Sequence, residues 1–302
     1  FGEYMHATDD GNTVIIAGPE FPDTGNYPDG YVAVFEWNGM AYVRKGQEFR
    51  GPHYKKYGSS MVGISNDGNR MVFGEQYASV YYIYTRNSWG RIHAYEWNQP
   101  MKKWENMDAE NVLVGDNDFR RMGYRGTLSK DGTRLFASTY EGSYFGTGKE
   151  RPNSSPVTHR HSNSGAGKVF EWVPDGSGEP GQGRWAQLGN AVHGSYSNDR
   201  MGEYGTMSAD GNTIFLTSRY GRGTDHGHEG YGRIYRWNET HWTQIGNDLR
   251  IDDDNEHNTY FGTGRVSVTG DGARVCIASH HWSHGYGGSN KLLHSGLVKV
   301  YD

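Results

Sequence analysis

Cysteine is nearly absent. Cys276 stands alone among 302 residues, so no disulfide closes within the chain and no thiolate cluster forms a metal site. A chain this long builds a core without such staples, so the lone thiol leaves the redox compartment open. Long apolar runs are missing too, and none approaches the ~20 residues of a membrane-spanning helix. Basic blocks are lacking: 30 Lys+Arg against 35 Asp+Glu give a net charge of −5, without the concentrated cationic face that nucleic-acid binding needs. Aliphatic residues are thin and mean hydropathy is −0.85. What the chain has instead is 45 Gly with 22 Tyr, 11 Phe and 9 Trp. That many large rings bury a substantial core, which excludes a disordered chain. The sequence opens at Phe1, inside a repeated element, so a targeting leader is not observable in it.

The repeat organises everything else. Asp-Gly recurs at Asp10-Gly11, Asp67-Gly68, Asp131-Gly132, Asp210-Gly211 and Asp271-Gly272, at intervals of 57, 64, 79 and 61 residues. Upstream of each lies an aromatic or Met followed by Gly: Phe1-Gly2, Tyr57-Gly58, Met122-Gly123, Met201-Gly202 and Phe261-Gly262. Downstream come a β-rich run, a longer segment, and in four copies a second run ending at Trp37, Trp97, Trp172 or Trp237. A last strand follows around Tyr42, Trp104, Trp185 or Trp242. The fifth copy stops at Val298-Lys299-Val300-Tyr301-Asp302. Asp-Gly between two β-runs marks a tight hairpin, because Gly accepts the positive φ of the turn. No window carries helical periodicity.

Four short antiparallel strands, here a to d, repeated about every 60 residues are one blade of a β-propeller. The expected fold is all-β, a single five-bladed domain over 1–302, with repeats at 1–56, 57–121, 122–200, 201–260 and 261–302 and a last blade lacking its outer strand. The repeat resembles the FG-GAP type of integrin α-chains over essentially the whole chain. The carriers are Phe1-Gly2 and Phe261-Gly262, Ala17-Gly18-Pro19, and the Gly296 to Tyr301 strand. The resemblance implies calcium loops, yet turns such as Thr8-Asp9-Asp10-Gly11 are too short to supply six to eight oxygens. Their Asp residues are expected to form hairpins.

Blade geometry gathers the long b–c loops, near 19–29, 75–89, 138–164, 218–229 and 279–295, at one end of the sheets. Binding concentrates on such loops. Tyr77, Tyr81, Tyr82, Tyr84, Trp89, Tyr140, Tyr220 and Trp282 are the candidate partner-binding residues, with loop packing as the plain alternative. His226 and His228 could chelate a transition metal, and Asp252, Asp253 and Asp254 could hold calcium; solvated side chains are the alternative for both. No cofactor is otherwise called for. Asn153 and Asn238 stand in glycosylation sequons. Catalytic motifs are missing, and Glu3, Glu20, Glu75 and Glu203 are the carboxylates a five-bladed glycoside hydrolase would draw on. The expectation is a non-catalytic, extracellular or cell-surface interaction protein, self-associating into an assembly or filament. A glycan-binding lectin is the alternative.

Overall fold

The computed structural model describes residues 2–20, 29–52, 56–59, 61–78, 89–110, 112–116, 118–148, 157–218, 220–221, 230–250, 261–262, 264–279 and 296–302. All regular structure among them is β. The first sheet runs in order β1 (Tyr4–Ala7), β2 (Thr13–Gly18), β3 (Tyr31–Trp37) and β4 (Tyr42–Arg44), with β5 (Phe49–Arg50) also pairing β3. The second is β6 (Val62–Ile64), β7 (Arg70–Glu75), β8 (Arg91–Asn98) and β9 (Lys103–Asn106). The third takes β10 (Arg125–Leu128), β11 (Arg134–Thr139), β14 (Ala166–Pro174) and β15 (Gly183–Gln187), with β16 (Val192–His193) on β14. Its b–c loop holds a hairpin the sequence reading did not foresee, β12 (Tyr144–Gly148) and β13 (Val157–His161). The fourth sheet is β17 (Tyr204–Met207), β18 (Thr213–Ser218), β19 (Tyr231–Trp237) and β20 (Trp242–Leu249). The fifth has three strands, β21 (Val266–Val268), β22 (Val275–Ser279) and β23 (Leu297–Tyr301). Each sheet is the meander of a propeller blade, and the fold class is the expected five-bladed β-propeller.

The chain divides into two compact units: Phe1–Ala137 with Val169–Leu188, and Ser138–Lys168 with Gly189–Asp302. In the first, Ile15, Val32, Val34, Ile64, Met71, Phe73, Trp97 and Trp104 form one buried cluster. In the second, Phe215, Phe261, Val275 and Ile277 form another. Cys276 lies in β22, half-buried between the buried Val275 and Ile277.

The Asp-Gly turns are five copies of one hydrogen-bond network. The Ser or Thr two residues before each Asp donates its hydroxyl to the Asp carboxylate: Thr8 to Asp10, Ser65 to Asp67, Ser129 to Asp131, Ser208 to Asp210 and Thr269 to Asp271. The same carboxylate oxygen accepts the amide two residues on, at Asn12, Asn69, Thr133, Asn212 and Ala273. The hydroxyl oxygen in turn accepts the amide five residues on. Each of these acids accepts hydroxyl and amide donors of its own turn, as expected of hairpin formers.

Across c and d, four aromatic pairs face each other at 5.2–5.5 Å: Trp37–Tyr42, Trp97–Trp104, Trp172–Trp185 and Trp237–Trp242. Such cross-strand pairs hold a hairpin register. A seam then joins consecutive blades. Gly30, Gly90 and Gly165, seven residues before a Trp, form parallel bridges with Tyr57, Met122 and Met201 at the start of the next copy. Their φ values are +82°, +74° and +78°, and a Cβ there would lie within 2.2 Å of the neighbouring backbone. Only glycine fits.

Candidate functional site

The b–c end of the second sheet carries a buried acid–imidazole pair. Glu75 closes β7 opposite Arg91, and His93 lies two residues further along β8 opposite Phe73, so the two side chains meet diagonally across the strands; Glu75 Oε2 is 2.8 Å from His93 Nε2. The imidazole stacks on Phe73 at 4.9 Å and meets the Tyr57 ring at 4.6 Å. Burial, reinforced by the Glu75 carboxylate, pushes the Tyr57 hydroxyl up to about 12. Asp108, after β9, accepts the Val112 and Leu113 amides, and burial raises its carboxyl. A carboxylate that fixes the orientation of an imidazole is the arrangement of a general base.

The fourth sheet carries a larger cluster. Arg233 of β19 donates Nε to Asp248 Oδ1 at 2.6 Å and Nη2 to Asp248 Oδ2 at 3.1 Å. Its Nη2 also reaches Ser195 Oγ at 2.7 Å. The guanidinium carbons of Arg233 and Arg250 lie 4.5 Å and 5.1 Å from the centre of the Tyr231 ring. The Tyr231 hydroxyl donates to Asp199 Oδ2 at 2.9 Å, and both residues are 1% exposed. Burial drives the Asp199 carboxyl up to about 6, against the hydrogen bonds from Tyr196 N–H and Tyr231 and the charge of Arg233.

Three of the expected binding tyrosines sit beneath cations. Lys56 Nζ and the Arg121 guanidinium lie 5.8 Å and 6.0 Å from the Tyr77 ring, and Lys56 is ion-paired to Glu20. Arg200 lies 5.7 Å from Tyr140 and 4.9 Å from Tyr220. Lys56, Arg121 and Arg200 occupy the same place in three copies, directly before the aromatic or Met–Gly element, with φ of +46°, +56° and +56°. Trp89 is half-buried and its carbonyl accepts the Met122 amide.

Tyr81, Tyr82, Tyr84, Trp282, His226, His228, Asp252, Asp253, Asp254 and Asn153 lie outside the described residues. Among the described residues no three His, Cys, Asp or Glu side chains come together as metal ligands. Asn238 accepts the Thr240 and His241 amides, and Asn38 does the same for Met40 and Ala41 without a sequon, so the turn accounts for the asparagine. Of the four glutamates, Glu75 is buried, Glu203 half-buried, and Glu3 and Glu20 exposed. Sequence reasoning missed Asp199, Arg233 and Asp248. They are spread over three elements, although a signal existed: Tyr31, Glu48 and Arg50 stand at the same offsets from Trp37 and Tyr42 as Tyr231, Asp248 and Arg250 from Trp237 and Trp242.

No protein-family model matches the chain, and no curated protein matches it. Solved structures do. The periplasmic gluconolactonase of Pseudomonas aeruginosa matches with a TM-score of 0.51 and 12% identity over 91% of this chain, which spans 64% of that protein. A candidate 6-phosphogluconolactonase of Bacteroides uniformis follows at TM-score 0.48 and 11% identity, covering 99% of this chain and 88% of that one. The β-propeller domain of the Trilobed protease from Pyrococcus furiosus gives 0.46 and 10%, covering 99% and 69%. The likeness is one of fold. It corrects the expectation of a non-enzyme, which rested on missing hydrolase motifs. A gluconolactonase shares this architecture, so the lack of a linear motif is no argument against catalysis.

Proposed function

We propose that the chain is an interaction propeller working outside the cell or at its surface, and that it associates with itself. One observation carries this reading. The Trp37–Tyr42 pair of the first blade is 42% and 50% exposed, whereas Trp97 and Trp104 in the second are 8% and 2% exposed. Gly46 explains the contrast, for a Cβ on it would lie 2.7 Å from Trp97 and 2.9 Å from Trp104. Lys45 adds a cation 5.2 Å over Trp97, and Gln47 exchanges two hydrogen bonds with the Trp104 backbone. Met40 and Val43, 88% and 44% exposed, extend the bare surface of the first blade. At the other end of the repeat, Val298 and Val300 are 65% and 63% exposed where Val32 and Val34 are fully buried. Apolar surface of this kind marks a contact. The FG-GAP resemblance supports an extracellular setting. Light scattering on size-exclusion fractions tests the reading: mass should rise with concentration and Trp37→Ser should suppress the rise. A constant monomer mass for both proteins would refute it.

Lactone hydrolysis is a second reading, favoured by the Glu75–His93 pair and by the fold shared with a gluconolactonase. Glucono-lactone hydrolysis above the spontaneous rate, lost in Glu75→Gln and in His93→Ala, would support it. A rate equal to buffer would end it.

A further inference from the structure

Asp199 is a buried carboxyl whose bonds fall on one oxygen. Its Oδ2 accepts the Tyr231 hydroxyl and the Tyr196 amide, the Ser195 amide also favours its charge, its backbone carbonyl accepts the Ser218 hydroxyl, and its Oδ1 has no partner at hydrogen-bond distance. Burying a carboxylate oxygen without a donor is expensive. The residues around it form the crossing from β16 to β17. Arg233 fastens that crossing at Ser195 Oγ and, at 3.5 Å, at the His193 carbonyl. Asn198 and Arg200, on either side of Asp199, are both left-handed, with φ of +66° and +56°. Side chains other than glycine hold that conformation only where surrounding contacts enforce it. Backbone amides of Gly194, Asn198, Arg200 and Met201 tie this strained segment to residues 162–165, and the Asp199 side chain ties its middle to the fourth blade.

We propose that Asp199 is a proton-controlled latch: protonated, it keeps the 193–201 crossing seated on the fourth blade, and ionised, it releases it. The groups facing it define the balance. Tyr231 and Arg233 come from β19, Asp248 and Arg250 stand behind Arg233 at the end of β20, and His193 and Arg200 lie on the crossing itself. Arg233 is the nearest cation, but Asp248 already engages it through both carboxylate oxygens, so it does not neutralise a second carboxylate. Opening the crossing brings water to Oδ1 and relaxes Asn198 and Arg200 together.

The direction follows from the native carboxyl titrating near 6 rather than at 3.8. An acid raised in the folded state contributes seating that is complete below about pH 4 and lost as pH rises through about 6. Two units correspond to about a hundredfold change in the opening equilibrium. Hydrogen–deuterium exchange of the full chain from pH 4.5 to 8, corrected for intrinsic rates and read on peptides spanning 194–201, tests it. Protection should fall about thirtyfold across this range, with the opening equilibrium half-changed near pH 6. Asp199→Asn, which keeps an acceptor for Tyr231 without charge, should abolish the pH dependence. Tyr231→Phe should move the midpoint upward, because a hydrogen bond favouring the ionised form is gone. His193→Gln should leave the profile in place. A pH-independent wild type, an unchanged profile in Asp199→Asn, or a midpoint that vanishes with His193 would each overturn the latch.

Discussion

The first and fourth blades each carry a Tyr, an acid and an Arg at the same offsets, with Glu48 in one and Asp248 in the other, and the two trios behave differently. In the first, Tyr31 donates to Glu48 at 3.2 Å and the Arg50 guanidinium lies 5.6 Å from the Tyr31 ring. Arg50, with Arg44, holds the Glu48 carboxyl below its usual range. The trio is open to water, with Arg50 half-exposed. In the fourth, Tyr231 is buried and its hydroxyl is raised well above the ordinary value by burial and by Asp199. The change between them comes from residue 33 against residue 233. Ala33 brings no cation to the first trio, whose Glu48 takes Arg44 and Arg50 at the surface, whereas Arg233 pulls Asp248, Ser195 and the crossing into one network. A repeat therefore supplies a constant frame, and one strand position decides whether that frame is a surface ion pair or a buried polar core.

The largest test of the contrast is Arg233→Ala against Arg50→Ala. Removing Arg233 takes two charged hydrogen bonds from Asp248, leaving it Arg250 and Gln244, and unfastens the crossing, for a loss of about 2 kcal/mol in urea denaturation. Arg50→Ala should leave the midpoint within experimental scatter, as exposed pairs do. Next is Asp199→Asn, expected to stabilise the chain by about 2 kcal/mol at pH 7.5 and not at pH 4, since only the ionised carboxyl is penalised. Tyr231→Phe should cost about 1 kcal/mol through the lost hydrogen bond. Tyr31→Phe should be neutral within a few tenths of that energy unit, measured in the same series. Smallest is the acid limb. The Asp67 and Asp131 carboxyls are buried enough to be pushed up, yet their turn hydrogen bonds win and hold them low. Their stabilisation is present above about pH 4 and lost as pH falls through their lowered values, opposite in sense to Asp199. Asp67→Asn should therefore lower stability on the neutral side, flatten the acid limb and converge with the wild type at low pH.

How much of this was legible depends on range. The blades were, because Asp-Gly, the aromatic–Gly element and the Trp recur on a schedule that local turn chemistry enforces. The turn network was half legible: the Asp residues announced a hairpin, while Thr8, Ser65, Ser129, Ser208 and Thr269, each two residues earlier, went unread. The seam glycines were visible as a fixed spacing of seven residues before four Trp, but their reason is a neighbour's backbone, which lies outside any local window. Asp199 was illegible for a deeper cause. A carboxyl's environment is set by what other elements bring to it, and Tyr231, Arg233 and Asp248 arrive from 32 to 49 positions away. The expectation of a non-enzyme rested on motifs of residues adjacent in sequence, whereas Glu75 and His93 are separated by a whole loop.

The glycine seam bears on how such a chain is rearranged. Because Gly30, Gly90 and Gly165 clasp the opening residue of the following copy, a cut placed just before an aromatic–Gly element parts the two halves of a clasp. A module excised between successive b–c loops, as from 20 to 78, carries the Gly30–Tyr57 clasp intact. Duplication, shuffling or engineered insertion of copies should succeed at that second register and fail at the first, whatever the apparent boundaries of the repeat in print.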